Sequence, residues 1–132
     1  MPSGGPFPKI GLILLSVTAA GWLPSHAADL GIRVIDKNCW IEIFEDEDFD
    51  TDDPHVKLYG PKDFPTLRDV GRRDWDNDIE SVIVGSNATV LAYKDKDYNG
   101  REIAFAPGQQ VQNLRTLDMA NDIESMRISC RK

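Results

Sequence analysis

Apolar and polar residues alternate in several short runs of the chain. In residues 39–45, CWIEIFE, the alternation places Cys39, Ile41 and Ile43 on one face of an extended strand and the intervening residues on the other. The runs SVIVG, TVLAYK, REIAF and SMRIS are similarly short and β-rich, and turn-forming residues separate them. After residue 27 the chain shows no sustained helical period, although residues 114–120 are compatible with one helical turn. The pattern predicts an all-β antiparallel sandwich.

The first 27 residues have a different character. Lys9 precedes an apolar run over residues 10–23, and the segment ends in Ser25-His26-Ala27, a small-x-small pattern. These features predict a secretory signal peptide cleaved after Ala27, which makes the protein secreted or periplasmic. The apolar run holds 23 − 10 + 1 = 14 residues. Because a membrane-spanning helix needs roughly 20, no membrane span is expected.

The remainder of the chain has the size of one small domain. Cleavage leaves 132 − 27 = 105 residues, enough for one compact core and too few for two ordinary ones. We expect an N-terminal extension over residues 28–37 and a folded domain over residues 38–132, and we expect the protein to be a monomer.

The chain is acidic. It carries 22 acidic and 15 basic side chains, a formal net charge of −7. Removal of Lys9 with the signal segment changes this charge to −8. Such a surface repels nucleic acid phosphates and anionic membranes and concentrates cations, so no nucleic acid partner is expected.

The two cysteines, Cys39 and Cys130, lie near opposite ends of the expected domain. In a secreted protein, the pattern predicts an intramolecular disulfide. A metal site built on these cysteines is disfavoured, because the only histidine after the signal segment is His55 and neither cysteine has a second ligand close in sequence.

An internal repeat organises the chain. The word NDIES occurs at residues 77–81 and again at residues 121–125, which is 121 − 77 = 44 positions later. Upstream, FEDEDF at residues 44–49 matches YKDKDY at residues 93–98 in its two aromatics and central aspartate, and Leu-Arg follows each copy. Since the aromatic segments are 93 − 44 = 49 positions apart, the first half holds about five extra residues. We expect these in loops within DTDDPHVKLYGPKDFP and RDVGRRDW.

These repeated segments resemble those of a known family. Residues 93–100, YKDKDYNG, resemble the folded-hairpin signature of the βγ-crystallins, and both NDIES words resemble the double-clamp calcium motif of that family, Asn/Asp-Asn/Asp-x-x-Ser/Thr-Ser. The resemblance implies two four-stranded Greek keys, over about residues 38–86 and 87–132, packed as a sandwich with one strand exchanged between the sheets. It further implies a non-enzymatic calcium-binding protein.

The resemblance also implies two Ca²⁺ sites, each sharing ligands between the two NDIES words. One site takes a carbonyl and a hydroxyl from the first word, a side chain from the second and the carbonyl after the first hairpin aromatic: Ile79, Ser81, Asn121 or Asp122, and Glu45. The other site mirrors it: Ile123, Ser125, Asn77 or Asp78, and Lys94. Amide, carboxylate, hydroxyl and carbonyl oxygens are the ligands that calcium prefers. We therefore expect about two ions that stabilise the protein by joining its halves.

Two departures from the family pattern stand out. The sixth residue of the motif, usually Ser and mainly structural, falls on Val82 and Met126. The glycine of the first hairpin is replaced by Thr51, a β-branched residue poorly suited to positive φ. We expect altered packing at the first departure and a differently bent first hairpin at the second.

Some of these segments also fit other interpretations. Asn-Asp pairs before Ser also form simple turns. An EF-hand over DEDFDTDDPHVK is rejected, because Thr51 stands where Gly is required and Lys57 where a bidentate Glu is required. An enzyme is disfavoured, because His55 has no nucleophile near it in sequence. A secreted protease inhibitor or toxin-like interaction protein on the same fold, using TDDPHVKLYGPKDFP as an exposed loop, remains the second hypothesis.

Overall fold

The computed structural model describes residues 36–132; the predicted signal peptide and most of the expected extension lie outside this range. Eight strands make up the structure: β1 Trp40–Phe44, β2 His55–Tyr59, β3 Lys62–Phe64, β4 Ser81–Val84, β5 Ala88–Asp95, β6 Asn99–Phe105, β7 Gln110–Val111 and β8 Ser125–Cys130. Within the described range the helical segments are two 3-10 turns, Lys96–Tyr98 and Leu114–Leu117. None is long or apolar enough to cross a membrane.

The strands form two antiparallel four-stranded sheets. One sheet has the order β2-β1-β4-β7 and the other the order β3-β8-β5-β6. Strand β3 belongs to the first half of the chain but pairs with β8, and β7 belongs to the second half but pairs with β4. Each half thus places three strands in one sheet and gives the fourth to the other. The predicted all-β sandwich of two Greek keys with an exchanged strand is confirmed.

The core lies between the sheets and is built by the strand alternation. Ile41 and Ile43 of β1 are fully buried, as are Val90 and Ala92 of β5. Phe44 departs from the alternation, because it is only 1% exposed although it was predicted to face away from the core. Side chains outside the strands seal the ends of the core: Leu67, Trp75, Ile79, Leu114, Met119 and Ile123.

Three strands were not predicted. β3 has three residues and β7 has two, too few for a visible alternation. β2 is flanked by Pro, Gly and Asp, and its residues were assigned to the exposed loop of the interaction hypothesis. That assignment is wrong: β2 pairs with β1 from His55 to Tyr59, which buries Leu58.

A disulfide joins the two sheets at their ends, as predicted. Cys39, just before β1, is bonded to Cys130, the last residue of β8, with the Cα atoms 5.5 Å apart. The loop that it closes spans 91 positions. Because a long loop has much conformational freedom to lose, the cross-link restricts the unfolded chain strongly.

Candidate metal centre

The two aromatic hairpins have matching turns. The rings of Phe44 and Phe49 in the first hairpin and of Tyr93 and Tyr98 in the second are 5.7 Å apart in both cases. In each turn, the second ring residue and the aspartate before it adopt left-handed backbone conformations, with φ between 56° and 62°. The chain therefore folds back on itself in the same way twice.

The hairpins differ after the second ring. Gly100 has φ of +78°, and a Cβ there would lie 2.5 Å from Asp95 Oδ2. Thr51, at the matching place, lies outside the positive-φ region. The first hairpin therefore departs from the second at Thr51, as expected, and Glu45 lies just beyond β1 whereas Lys94 lies inside β5.

A buried serine fastens each hairpin. The Ser81 hydroxyl donates to the Asp46 carbonyl at 2.5 Å and accepts from the Phe49 N–H at 3.1 Å. Ser125 repeats both bonds, with Asp95 at 2.6 Å and Tyr98 at 3.0 Å. Both serines are fully buried. The hydroxyls that were expected to bind calcium therefore already have two partners each.

The two NDIES words lie side by side. The Asn77 N–H donates to the Ile123 carbonyl at 3.1 Å, and the Asn121 N–H donates to the Ile79 carbonyl at 2.9 Å. Both asparagines are left-handed, with φ of 58° and 57°, a conformation that Asn tolerates better than most residues. The two NDIES copies thus pair with each other through reciprocal hydrogen bonds, and this pairing gives the repeat a structural reason.

The glutamate of each word reaches the asparagine of the other. Asn77 Nδ2 lies 3.1 Å from Glu124 Oε2, and Asn121 Nδ2 lies 3.3 Å from Glu80 Oε2. The Glu80 N–H donates to Phe44 O and the Glu124 N–H donates to Tyr93 O. The backbone of each glutamate is therefore bonded to the first ring residue of one hairpin, the residue that precedes the expected ligand Glu45 or Lys94.

Two clusters result, one at each hairpin. The first clamp comprises the carboxylate of Glu80 and the side chain of Asn121, with the carbonyl of Glu45 as the third ligand that the resemblance implies. The second clamp comprises the carboxylate of Glu124 and the side chain of Asn77, with the carbonyl of Lys94 as the implied third ligand. Each draws on both halves of the chain, as the resemblance implied, and its side-chain oxygens include a glutamate carboxylate; that of Glu80 also lies 3.8 Å from Arg115 Nη2.

This geometry favours a motif register one residue earlier. The structural role of the sixth residue is carried by Ser81 and Ser125, while Val82 and Met126 are buried in the core. Residues 76–81, DNDIES, and 120–125, ANDIES, then form the motif, with the glutamates at the fifth position. The predicted serine ligands stay a prediction, and the carboxylates are the better donors for a hard cation.

In this register the second clamp gains a residue that the sequence analysis missed. Asp76 has a side chain only 10% exposed, and its Oδ1 is buried without a hydrogen-bond partner. Its Oδ2 lies 3.9 Å from Nζ of Lys96, a residue of the second hairpin, and 3.6 Å from Nε of Arg68. An unsatisfied buried carboxylate is costly unless a cation completes it, so the second clamp fits a metal ion.

The matching position in the first clamp offers no carboxylate, because residue 76 + 44 = 120 is Ala120. The remaining residues expected as calcium ligands, Asp78 and Asp122, lie within the NDIES words. Asp78 is half-buried and its side chain contacts Arg73, whereas Asp122 is half-buried in the second word with its N–H donating to Met119 O. The sequence did contain a signal for Asp76, because an acidic residue directly precedes the first NDIES word but not the second.

A separate acidic cluster lies in the first hairpin. Carboxylate oxygens of Asp46, Asp50 and Asp53 lie within 4.8 Å of one another. The pKa of the Asp53 carboxyl is raised, first by its hydrogen bond with Asp46 and then by the negative charge of Asp46. Strands β1 and β2 flank this segment rather than helices. The cluster is solvated and is not an EF-hand.

Comparison with known proteins identifies the fold. No protein-family model and no curated protein matches the chain. A domain from a study of the evolution of the eye-lens βγ-crystallin fold superposes with a TM-score of 0.64 at 22% identity, covering 77% of this chain and 96% of its own. A βγ-crystallin from an archaeon gives a TM-score of 0.55 at 21% identity, covering 69% and 98%.

A third solved structure is a βγ-crystallin domain of Abundant Perithecial Protein from Neurospora crassa in its Ca²⁺-bound form. It superposes with a TM-score of 0.55 at 14% identity, covering 76% of this chain and 98% of its own. The resemblance drawn from the hairpin and NDIES segments is therefore confirmed, and the chain has the βγ-crystallin fold.

Proposed function

We propose that this protein is a secreted, non-enzymatic βγ-crystallin-like protein that binds Ca²⁺ at its paired clamps and is stabilised by the ion. The observation that carries the proposal is the reciprocal pairing of the two NDIES words, in which a glutamate of each word meets an asparagine of the other. An ion held there contacts both Greek keys, so the free energy of calcium binding adds to the free energy of unfolding.

The oxygen set suits calcium. Glu124, Asp76, the Asn77 side chain and the Lys94 carbonyl offer carboxylate, amide and carbonyl oxygens, and water can complete the six to eight ligands that Ca²⁺ takes. Bound calcium supplies a double positive charge among carboxylates that otherwise repel one another. The Ca²⁺-bound form of the Neurospora crassa domain supports this assignment for the shared fold.

Weak binding is expected, because few carboxylates face each ion. Extracellular calcium modules bind with dissociation constants of about 10⁻⁴ to 10⁻³ M, and the second carboxylate at the second clamp extends the expected range to about 10⁻⁵ M. At a calcium concentration one hundred times the dissociation constant, a site adds about 2.7 kcal/mol to the free energy of unfolding. Secretion places the protein in an oxidising compartment, where its disulfide forms.

Thermal unfolding tests the proposal. The purified protein is melted in EDTA, in 10 mM Ca²⁺ and in 10 mM Mg²⁺, with emission from Trp75 as the signal, because this tryptophan is buried one residue before Asp76. For a dissociation constant of about 10⁻⁴ M, 10 mM calcium adds about 2.7 kcal/mol, which raises the melting temperature of a domain of this size by roughly 10 °C or more. We expect that rise in calcium and a smaller one in magnesium, and identical melting in all three solutions would contradict the proposal.

A further inference from the structure

The charged side chains around the two clamps occupy matching positions of the repeat but form different ion pairs. Arg68 and Arg115 come from the two Leu-Arg segments, and Glu47 and Lys96 lie three positions after the first ring residue of their hairpins. At the first clamp, Arg115 Nη1 lies 3.2 Å from Glu47 Oε2 and its Nη2 lies 3.8 Å from Glu80 Oε1. At the second clamp the corresponding pair cannot form, because Arg68 and Lys96 are both cations.

Both of these cations lie beside Asp76 instead. Its Oδ2 is 3.6 Å from Arg68 Nε and 3.9 Å from Lys96 Nζ. Its Oδ1 is buried and has no hydrogen-bond partner. The matching residue at the first clamp is Ala120, which has no carboxylate to attract a cation. The charge of Asp76 is therefore balanced by two side chains that approach one of its oxygens and leave the other free.

The two cations are loosely held. The side chains of Arg68 and Lys96 are 64% and 42% exposed, whereas that of Asp76 is 10% exposed. Exposed ion pairs longer than a hydrogen bond contribute little to stability, because water and salt screen them. A doubly charged ion at the free Oδ1 attracts the carboxylate more strongly than either side chain does, and it repels both of them. Both side chains can then turn into solvent.

We propose that Lys96, assisted by Arg68, is a displaceable counter-ion that holds Asp76 in the metal-free protein and thereby sets the calcium affinity of the second clamp. This inference rests on the proposed function and deepens it by naming the side chains that calcium displaces. Lys96 belongs to the second hairpin, whereas Asp76 directly precedes the first NDIES word. The lysine therefore links the two halves of the chain without calcium, and the buried carboxylate is not left uncompensated.

The first test uses the metal-free protein and compares Lys96→Gln with Lys62→Gln. The control removes the same charge from a lysine whose Nζ lies 5.4 Å from the centre of the Phe64 ring. In EDTA, Lys96→Gln should melt roughly 1–5 °C below Lys62→Gln, because Asp76 loses a counter-ion. In a chain that already carries Asp76→Asn, Lys96→Gln should cause no further fall. An equal fall in both backgrounds would show that Lys96 does not act through Asp76 and would overturn the inference.

The second test measures calcium binding to the same two variants by calorimetry. Lys96→Gln should bind calcium roughly three- to ten-fold more tightly than Lys62→Gln, because one positive charge that repels the ion is gone. Arg68→Gln should change the affinity in the same direction. Equal affinities of Lys96→Gln and Lys62→Gln would overturn the inference and leave calcium binding intact. If neither the wild type nor any variant binds calcium, both the inference and the proposed function are overturned.

Discussion

Asn77 donates a hydrogen bond of 3.1 Å to Glu124, although the two residues are 47 positions apart. The contact joins the first Greek key to the second at the end of the second hairpin. It brings a carboxylate of the second word to the amide of the residue that follows the buried Asp76, and the proposed metal centre is based on this grouping.

Removing the charge of Glu124 should weaken calcium binding. Glu124→Gln keeps the size of the side chain and a carbonyl oxygen but removes the negative charge, and calcium affinity depends on the number of charged ligands. We expect the dissociation constant to rise about ten-fold or more, equivalent to about 1.4 kcal/mol. Calorimetry measures it, with Asp69→Asn as a control for loss of one exposed acidic charge; equal effects of the two substitutions would contradict the assignment.

Asp76→Asn should act in opposite directions with and without calcium. In EDTA the substitution removes a buried carboxylate whose Oδ1 has no partner, so the melting temperature should stay constant or rise. In calcium the same substitution removes a ligand, so the melting temperature should fall relative to the wild type. Parallel melts in the two solutions measure both effects, and a fall of equal size in both would show that Asp76 is structural only.

Replacing Ser81 or Ser125 should destabilise the protein by the same amount in EDTA and in calcium. Ser81→Ala or Ser125→Ala leaves a hairpin carbonyl and an N–H without the hydroxyl that satisfies them. Leaving a buried polar group unsatisfied costs about 1–3 kcal/mol, so melting should drop by at least several degrees in EDTA as well as in calcium. A drop seen only in calcium would restore the original expectation that these hydroxyls bind the ion.

The disulfide should contribute strongly to the free energy of unfolding, and its contribution should not depend on calcium. Replacing Cys39 and Cys130 together by alanine frees a loop that spans 91 positions, and the chain-entropy model assigns about 4 kcal/mol to such a loop. Urea unfolding should show a lower midpoint, while the calcium-induced shift of the midpoint stays as in the wild type. Loss of that shift would mean that the clamps need the cross-link to form.

The raised pKa of Asp53 predicts that the stability of the protein depends on pH. Its pKa is raised in the folded protein by Asp46, so the stability from its protonated form is present below the unfolded pKa, about 3.9, and is lost as the pH rises through the folded value. Asp53→Asn should therefore raise the melting temperature at pH 7 and leave it nearly unchanged at pH 3. Melts in EDTA measure this, with Asp52→Asn as the neighbouring control; an equal rise for both variants would assign the effect to net charge.

Most of the fold was predictable from sequence, and the site only in part. Short β-rich runs identified β1, β4, β5, β6 and β8; β5 buries alternate residues along most of its length, whereas β6 buries only Phe105. β3 and β7 are too short for a pattern, and β2 lies among turn residues that concealed it. The exchange of strands came from the family resemblance rather than from alternation.

The candidate metal site was located by repetition, but its proposed ligand atoms depend on burial. The NDIES words identified two loops that the structure pairs with each other, whereas only the structure shows that Ser81 is bonded to Asp46 and that Asn77 meets Glu124. Asp76 was missed because it precedes just one of the words, and its importance comes from an orphaned buried oxygen. A sequence pattern contains no information about which polar atoms already have partners.

The most direct test of the account is a calorimetric titration of the metal-free protein with Ca²⁺. We predict saturable binding with a dissociation constant of about 10⁻⁵ to 10⁻³ M, abolished by Asp76→Asn combined with Glu124→Gln. Absence of binding heat up to about 10 mM calcium at several temperatures, together with an unchanged melting temperature, would contradict it, and the NDIES words would then serve only to pair the two halves of the sandwich.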